Sequence, residues 1–208
     1  MKSTITTDMM YPEITDCKVA IIGLGYVGLP LAIAISRNQN CLISEEKCRR
    51  NVIGFDINSQ RIDDLSSYHD QTGEVEMHEI ANNKSVSFTN SLRSIYDVDV
   101  YIVTVPTPID NEFKPDLSAV KKASKDIGVC LEHRNNKIKP IIIFETTVYP
   151  GCTEEVCVPI LEKKSGLKFN QDFYCGYSPE RINPGDKEHT ITKIKKVTSG
   201  STPEVASL

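Results

Sequence analysis

At 208 residues, with 39% hydrophobic and 25% charged residues, the chain is long enough for one sizeable domain with a real core and too short for two full ones. A net charge of −4 gives no basic surface for nucleic acid or an acidic membrane, so neither is expected as a partner. No run of apolar residues is long enough to span a bilayer.

From Cys17 onward, short apolar runs alternate with longer amphipathic stretches, the pattern of βα units around a mainly parallel sheet. Cys17 to Ile22 reads as a buried strand and Val27 to Ser36 as a compact apolar helix. Val52 to Phe55 is a second strand, and Ser59 to Ser67 a helix with Ile62 and Leu65 on one face. Val86 to Phe88 and Asp99 to Val105 are the third and fourth strands. Leu117 to Leu131 carries apolar residues at helical spacing. Pro140 to Phe144 is a fifth strand, Thr153 to Lys164 a helix, and Phe173 to Gly176 a sixth strand. Two stretches read as insertions: Asn38 to Asn51, polar and basic, and Tyr68 to Lys84, a loop with a short helix. Thr190 to Leu208 shows no obvious terminal element. The inventory is that of an α/β, doubly wound Rossmann sheet with helices on both faces, of usual strand order 3-2-1-4-5-6.

Three glycines that follow the first strand and open the first helix, Gly23, Gly25 and Gly28 in GLGYVG, carry the first chemical signal. In such a turn the first glycine allows the sharp bend, the second lets a pyrophosphate approach the backbone, and the third lets helix and strand pack closely. The helix start then offers unpaired N–H groups to phosphate oxygens. Asp56 closes the second strand, where a carboxylate accepts from ribose hydroxyls and repels a 2′-phosphate, which favours NAD over NADP. The bland reading of Asp56 is a cap for the helix near Ser59. Arg61, one turn further, is placed to cover the same ribose, whereas Arg49 and Arg50 precede the strand and read as a solvated loop.

The seven cysteines form no CxxC pair, and several sit in apolar runs. They read as buried thiols in a reducing, cytoplasmic compartment rather than a disulfide framework. Cys152 begins a helix, where a thiolate is favoured, but packing is the preferred reading. The histidines are scattered and predict no metal site.

Five segments in order, GFDINSQRIDDL, HDQTGEVE, VPTPID, ETTVYPGCTEE and GYSPERINPGD, resemble the N-terminal half of the UDP-glucose/GDP-mannose dehydrogenase family. The SPERINPGD form is similar to its branch that oxidises UDP-N-acetylhexosamines. The resemblance implies two successive NAD-dependent oxidations at C6 of a nucleotide sugar, with a nucleophilic cysteine in a C-terminal half that this sequence does not include. It implies that Gly23, Gly25, Tyr26, Val27, Gly28, Asp56 and Arg61 hold the adenosine and pyrophosphate. Val105, Pro106 and Thr107 would line the cofactor, and Thr147 would sit near the nicotinamide. Thr147 and Glu180 would position a hydrolytic water, and Arg181, Ile182 and Asn183 would line the sugar site. The glucose-oxidising branch carries a second glutamate four residues after the first; Pro184 stands there, which argues against UDP-glucose. On this reading residues 1–16 are an extension, 17–203 the NAD-binding domain, and 204–208 the start of a connection onward. A UDP-sugar substrate and a homo-oligomeric full-length protein are further implications. Two rival classes stay open: another Rossmann dehydrogenase, of 6-phosphogluconate or hydroxyacyl-CoA type, which should lack the YSPERINPG segment, and a non-catalytic NAD-binding module.

Overall fold

The computed structural model describes residues 11–37, 40–41, 45–109, 112, 114–180 and 196–208. Its centre is one seven-stranded sheet in the order β3-β2-β1-β4-β5-β6-β7. The strands are β1 (Lys18–Ile22), β2 (Asn51–Phe55), β3 (Val86–Thr89), β4 (Val100–Val103), β5 (Ile141–Phe144), β6 (Tyr174–Tyr177) and β7 (Ser199–Gly200). The first six are parallel, with Ile22 level with Phe55 on one side and with Val103 on the other; only β7 runs antiparallel, against β6. The order of the first six is the doubly wound one expected.

Successive side chains of a strand point to opposite faces, so a sheet with both faces covered needs apolar residues at every position. β1 shows this directly. Ala20 and Ile22 face one core with Val120, Ala123 and Ile127 of α4 (Ser118–Glu132) and Leu161 of α5 (Val158–Ser165). Val19 and Ile21 face the other, with Leu29, Ala32 and Ile33 of α1 (Gly28–Ser36) and Ile62 and Leu65 of α2 (Ser59–Ser66). Ile21, Leu24, Leu29 and Leu65 are fully buried, each contributing about 1.5–3 kcal/mol relative to exposure. A short helix, α3 (Met77–Ala81), lies in the second expected insertion and is held at its start by a reciprocal Glu76–Glu79 capping box.

The helix expected from Thr153 enters as one turn of π-helix, Thr153–Cys157, before α5 proper. Pro159 accounts for the wide turn: it has no N–H to offer the carbonyl four residues back, and its ring would strike that carbonyl in an α-helix. The Val158 N–H bonds instead to the carbonyl of Thr153.

The C-terminal stretch, in which no element was expected, is ordered into β7 and α6 (Pro203–Ala206). Thr202 caps α6 by accepting from the Val205 N–H, and Val205 packs on Ile141 and Tyr174. Residues just before β1 are also attached: Tyr11 tilts against Tyr174 with ring centroids 5.2 Å apart. Cys17, Cys48, Cys130, Cys152, Cys157 and Cys175 are buried free thiols. Within the described residues, no helix is long and apolar enough to cross a membrane.

Candidate cofactor site

The turn after β1 is built backward from its glycines. Gly23 has φ +95°, a backbone conformation that side-chain-bearing residues rarely adopt, and its N–H bonds to the Phe55 carbonyl at 2.8 Å. Its own carbonyl accepts from the Thr104 hydroxyl at 2.7 Å, which locks the turn to the end of β4. Gly28 lies directly behind: a Cβ there would stand 1.8 Å from the Gly23 carbonyl oxygen. Gly25 is the opposite case, since a Cβ on it would meet nothing within 4 Å. The turn is therefore tight behind and open in front. α1 has no side-chain cap at its start, which leaves N–H groups of its first turn for an outside acceptor.

Asp56 sits beside this opening at the tip of β2. Its two carboxylate oxygens accept from the Leu24 N–H at 2.8 Å and the Asn58 N–H at 2.9 Å. The cap of α2 is Asn58, whose side chain accepts from the N–H groups of Gln60 and Arg61. Asp56 thus stays at the crevice and joins it to β2.

A cavity of about 310 Å³ opens in front of the turn, lined by Gly23, Leu24, Gly25, Tyr26, Val27 and Asp56 on one side. Thr104, Val105, Pro106 and Thr107 line its middle, and Glu145, Thr146, Thr147 and Glu180 its far side. A second recess of about 250 Å³ shares Gly23, Asp56, Val105 and Pro106 with the first and continues over Ile57, Ala119 and Ala123. The crevice runs across the carboxyl ends of β2, β1, β4, β5 and β6, spanning the point where the strand order reverses, as doubly wound sheets favour for ligands. The Thr107 hydroxyl donates to the Thr147 carbonyl at 2.7 Å and ties the loops after β4 and β5 together.

Most of the residues expected from sequence therefore meet in one place. Gly28 backs the turn rather than lining the cavity. Arg61 is the clear displacement: its guanidinium is buried beneath the turn, donating from Nε to the Leu24 carbonyl at 2.8 Å and pairing with Asp70 at 2.8 Å. Expected on the ribose, it lines neither recess, because an anion and a carbonyl on the protein side hold it. Arg181, Ile182, Asn183 and Pro184 lie outside the described residues. Sequence reading missed Thr104, Glu145 and Thr146. A threonine directly after a strand, beside a glycine turn, was the one available hint. Cys152 is fully buried, and burial pushes its thiol above the ordinary range, the direction opposite to activation at a helix start.

The arrangement fits a dinucleotide on its own terms. The cradle at Gly25 is free of protein atoms where a diphosphate would approach. The Thr146 hydroxyl is buried in the cavity wall with no hydrogen-bond partner among the described residues, which leaves it available to a bound group. Among the described residues, no group of three or more His, Cys, Asp or Glu side chains is placed to hold a metal ion.

Known proteins with this sequence pattern carry the same half-molecule. Residues 17–207 match the model of the NAD binding domain of the UDP-glucose/GDP-mannose dehydrogenase family. The chain is 53% identical over 193 residues to the UDP-N-acetyl-D-glucosamine 6-dehydrogenase of Pseudomonas aeruginosa, covering 93% of this chain and 42% of that protein. It is 48% identical to the enzyme of the same name from Salmonella typhi, again covering 42% of the relative. Among solved structures, the UDP-D-ManNAc dehydrogenase of Pyrococcus horikoshii superposes with a TM-score of 0.72 at 26% identity, over 91% of this chain and 42% of that one. The chain spans about two-fifths of the length of the relatives it matches. With the turn, the acid and the crevice in place, the chain belongs to the UDP-glucose/GDP-mannose dehydrogenase family and constitutes its NAD-binding domain.

Proposed function

We propose that this domain carries the cofactor for the oxidation of a UDP-N-acetylhexosamine at C6, alcohol through aldehyde to carboxylate. The observation that carries the reading is the continuous crevice uniting the glycine turn, Asp56, the Val105–Thr107 loop and the Thr147–Glu180 end. Backbone N–H groups around Gly25 hold the diphosphate, and Asp56 accepts from the adenosine ribose hydroxyls. The adenine lies over Ile57 and Ala119. The cofactor, when bound, supplies the hydride acceptor. At the far end, Glu180 accepts a proton from a water that the Thr147 hydroxyl orients, a general-base arrangement worth about 10²- to 10⁴-fold in rate. Identity of about half with two UDP-N-acetyl-D-glucosamine 6-dehydrogenases supports the choice of sugar.

Calorimetric titration of the chain with NAD+ and NADP+ tests the cofactor half of this reading. NAD+ binds and NADP+ binds far more weakly, because a 2′-phosphate would face the Asp56 carboxylate. Asp56→Asn weakens NAD+ by roughly 10- to 100-fold, the size of a charge-assisted hydrogen bond of about 1.5–3 kcal/mol, and narrows the gap to NADP+. Equal affinity for both cofactors in the parent chain refutes the assignment of Asp56. The sugar is tested on the full-length protein by NADH formation across a panel of UDP-hexosamines.

A further inference from the structure

The far wall of the cavity includes a carboxylate, Glu145, whose pairing with Lys196 neither the glycine turn nor Asp56 explains. Glu145 follows β5, is 6% exposed and lines the cavity, with its N–H fixed on the Val103 carbonyl at 2.8 Å. Its carboxylate pairs with the ammonium of Lys196, which reaches in from the approach to β7 with its side chain only 19% exposed. Burying two charges is expensive, and a well-packed apolar pair would serve stability equally well or better. Burial also lowers the Lys196 pKa to about 8, so its charge is held against a desolvation penalty. The hydroxyls of Thr146 and Ser178, at the neighbouring strand ends, are buried without hydrogen-bond partners among the described residues. This corner is polar and, among the described residues, incompletely satisfied, and Thr146 turns it toward the cavity.

Strand order gives the pair its meaning. Asp56 on β2 lies to one side of the turn after β1, and Glu145 on β5 to the other, beyond β4. A dinucleotide with its adenosine at Asp56 and its diphosphate on the turn sets its second ring over β4 and β5, towards Glu145. That ring is cationic in the oxidised cofactor and neutral in the reduced one. A fixed carboxylate nearby favours the oxidised form, and a fixed ammonium opposes it.

We propose that Glu145 and Lys196 are positioning residues of opposite sign that together set the preference of this cavity between oxidised and reduced nicotinamide. The proposal rests on the cofactor reading above and goes beyond it by naming which charges discriminate the two redox forms.

The test measures Kd for NAD+ and for NADH on the 208-residue chain and on Glu145→Gln, Lys196→Gln and the double variant, with a melting curve for each. Glu145→Gln leaves an unbalanced ammonium and weakens NAD+ relative to NADH by about tenfold, as expected for a charge several ångströms away in a partly screened site. Lys196→Gln moves the ratio the other way, and the double variant returns it to within about twofold of the parent, since both charges are gone. If a single variant does not fold, the double variant and the remaining single carry the decision. A ratio that stays constant across the folded variants, or that moves in the reverse direction, overturns the proposal. Failure of the parent chain to bind either form overturns the cofactor reading instead, so the two failures are distinguishable.

Discussion

Gly25→Val weakens NAD+ binding by about 100-fold or more and leaves the domain folded, whereas Gly28→Ala strongly destabilises it. Both expectations come from the same turn, read from its two sides. A side chain at position 25 finds open space and meets no protein atom within 4 Å, so it costs the fold little. The space it fills is the cradle in front of the unpaired N–H groups, and a branched side chain there holds a diphosphate out of hydrogen-bond range. Affinity falls by about 100-fold or more, which is about 2.7 kcal/mol. At position 28 a single methyl would stand 1.8 Å from the Gly23 carbonyl oxygen and 2.5 Å from the Thr104 hydroxyl. That carbonyl is backbone, already fixed by the Thr104 hydroxyl, and cannot yield without opening the link between β1 and β4. Overpacking costs about 1–3 kcal/mol where flexible side chains give way, and a wedge against fixed backbone lies at or above the top of that range. Set against a total stability of about 5–15 kcal/mol, such a loss lowers the melting temperature by about 10 °C or abolishes folding. Differential scanning fluorimetry with and without NAD+ reads both effects. A Gly28→Ala protein that melts with the parent, or a Gly25→Val protein that NAD+ still stabilises, contradicts this account of the turn.

The contrast also marks what is legible in sequence. β1, β4 and β5 read clearly because central parallel strands covered on both faces are nearly unbroken apolar runs, whereas the edge strand β3, Val-Ser-Phe-Thr, is only half-buried. β7 was not legible, because two residues, Ser199 and Gly200, have no period to detect, and their pairing comes from the neighbouring β6. α6 left a readable trace in Thr202, Pro203 and Glu204, a cap followed by proline and an acid, but four residues are too few for periodicity to support it. Within the crevice, Gly23, Asp56 and Thr147 could be placed from sequence because each stands at a fixed place in a βα unit. The lock of Thr104 on Gly23 and the pairing of Lys196 with Glu145 depend on which strands become neighbours. Nothing local encodes those contacts. The inward placement of Arg61 was illegible for a related reason: Asp70, from the following loop, draws its charge away from the crevice.

The Arg61–Asp70 pair yields the second large effect. Asp70 is 1% exposed at its side chain and also accepts from the Thr72 hydroxyl at 2.8 Å and from the N–H groups of Thr72, Glu74 and Val75. Burial pushes its carboxyl upward, but Thr72, Arg61 and Val75 outweigh that and hold it below the ordinary carboxylate value. With the folded pKa below the unfolded one, the stabilisation is fully present above about pH 4–5, where the unfolded carboxyl has also ionised. It is lost as pH falls through the ordinary carboxylate range toward the lower folded value. Asp70→Asn therefore removes part of the acid slope of the unfolding free energy, measured by urea denaturation at a series of pH values. At neutral pH the same variant leaves the Arg61 guanidinium buried without its anion, at a cost of about 3–5 kcal/mol. Arg61→Met then separates two roles. If the guanidinium acts by holding the Leu24 carbonyl and Asp70, stability falls first, and NAD+ affinity falls only as the turn loosens. If affinity collapses while the urea midpoint stays with the parent, Arg61 reaches the ribose directly, and the inward geometry described above does not describe the bound state.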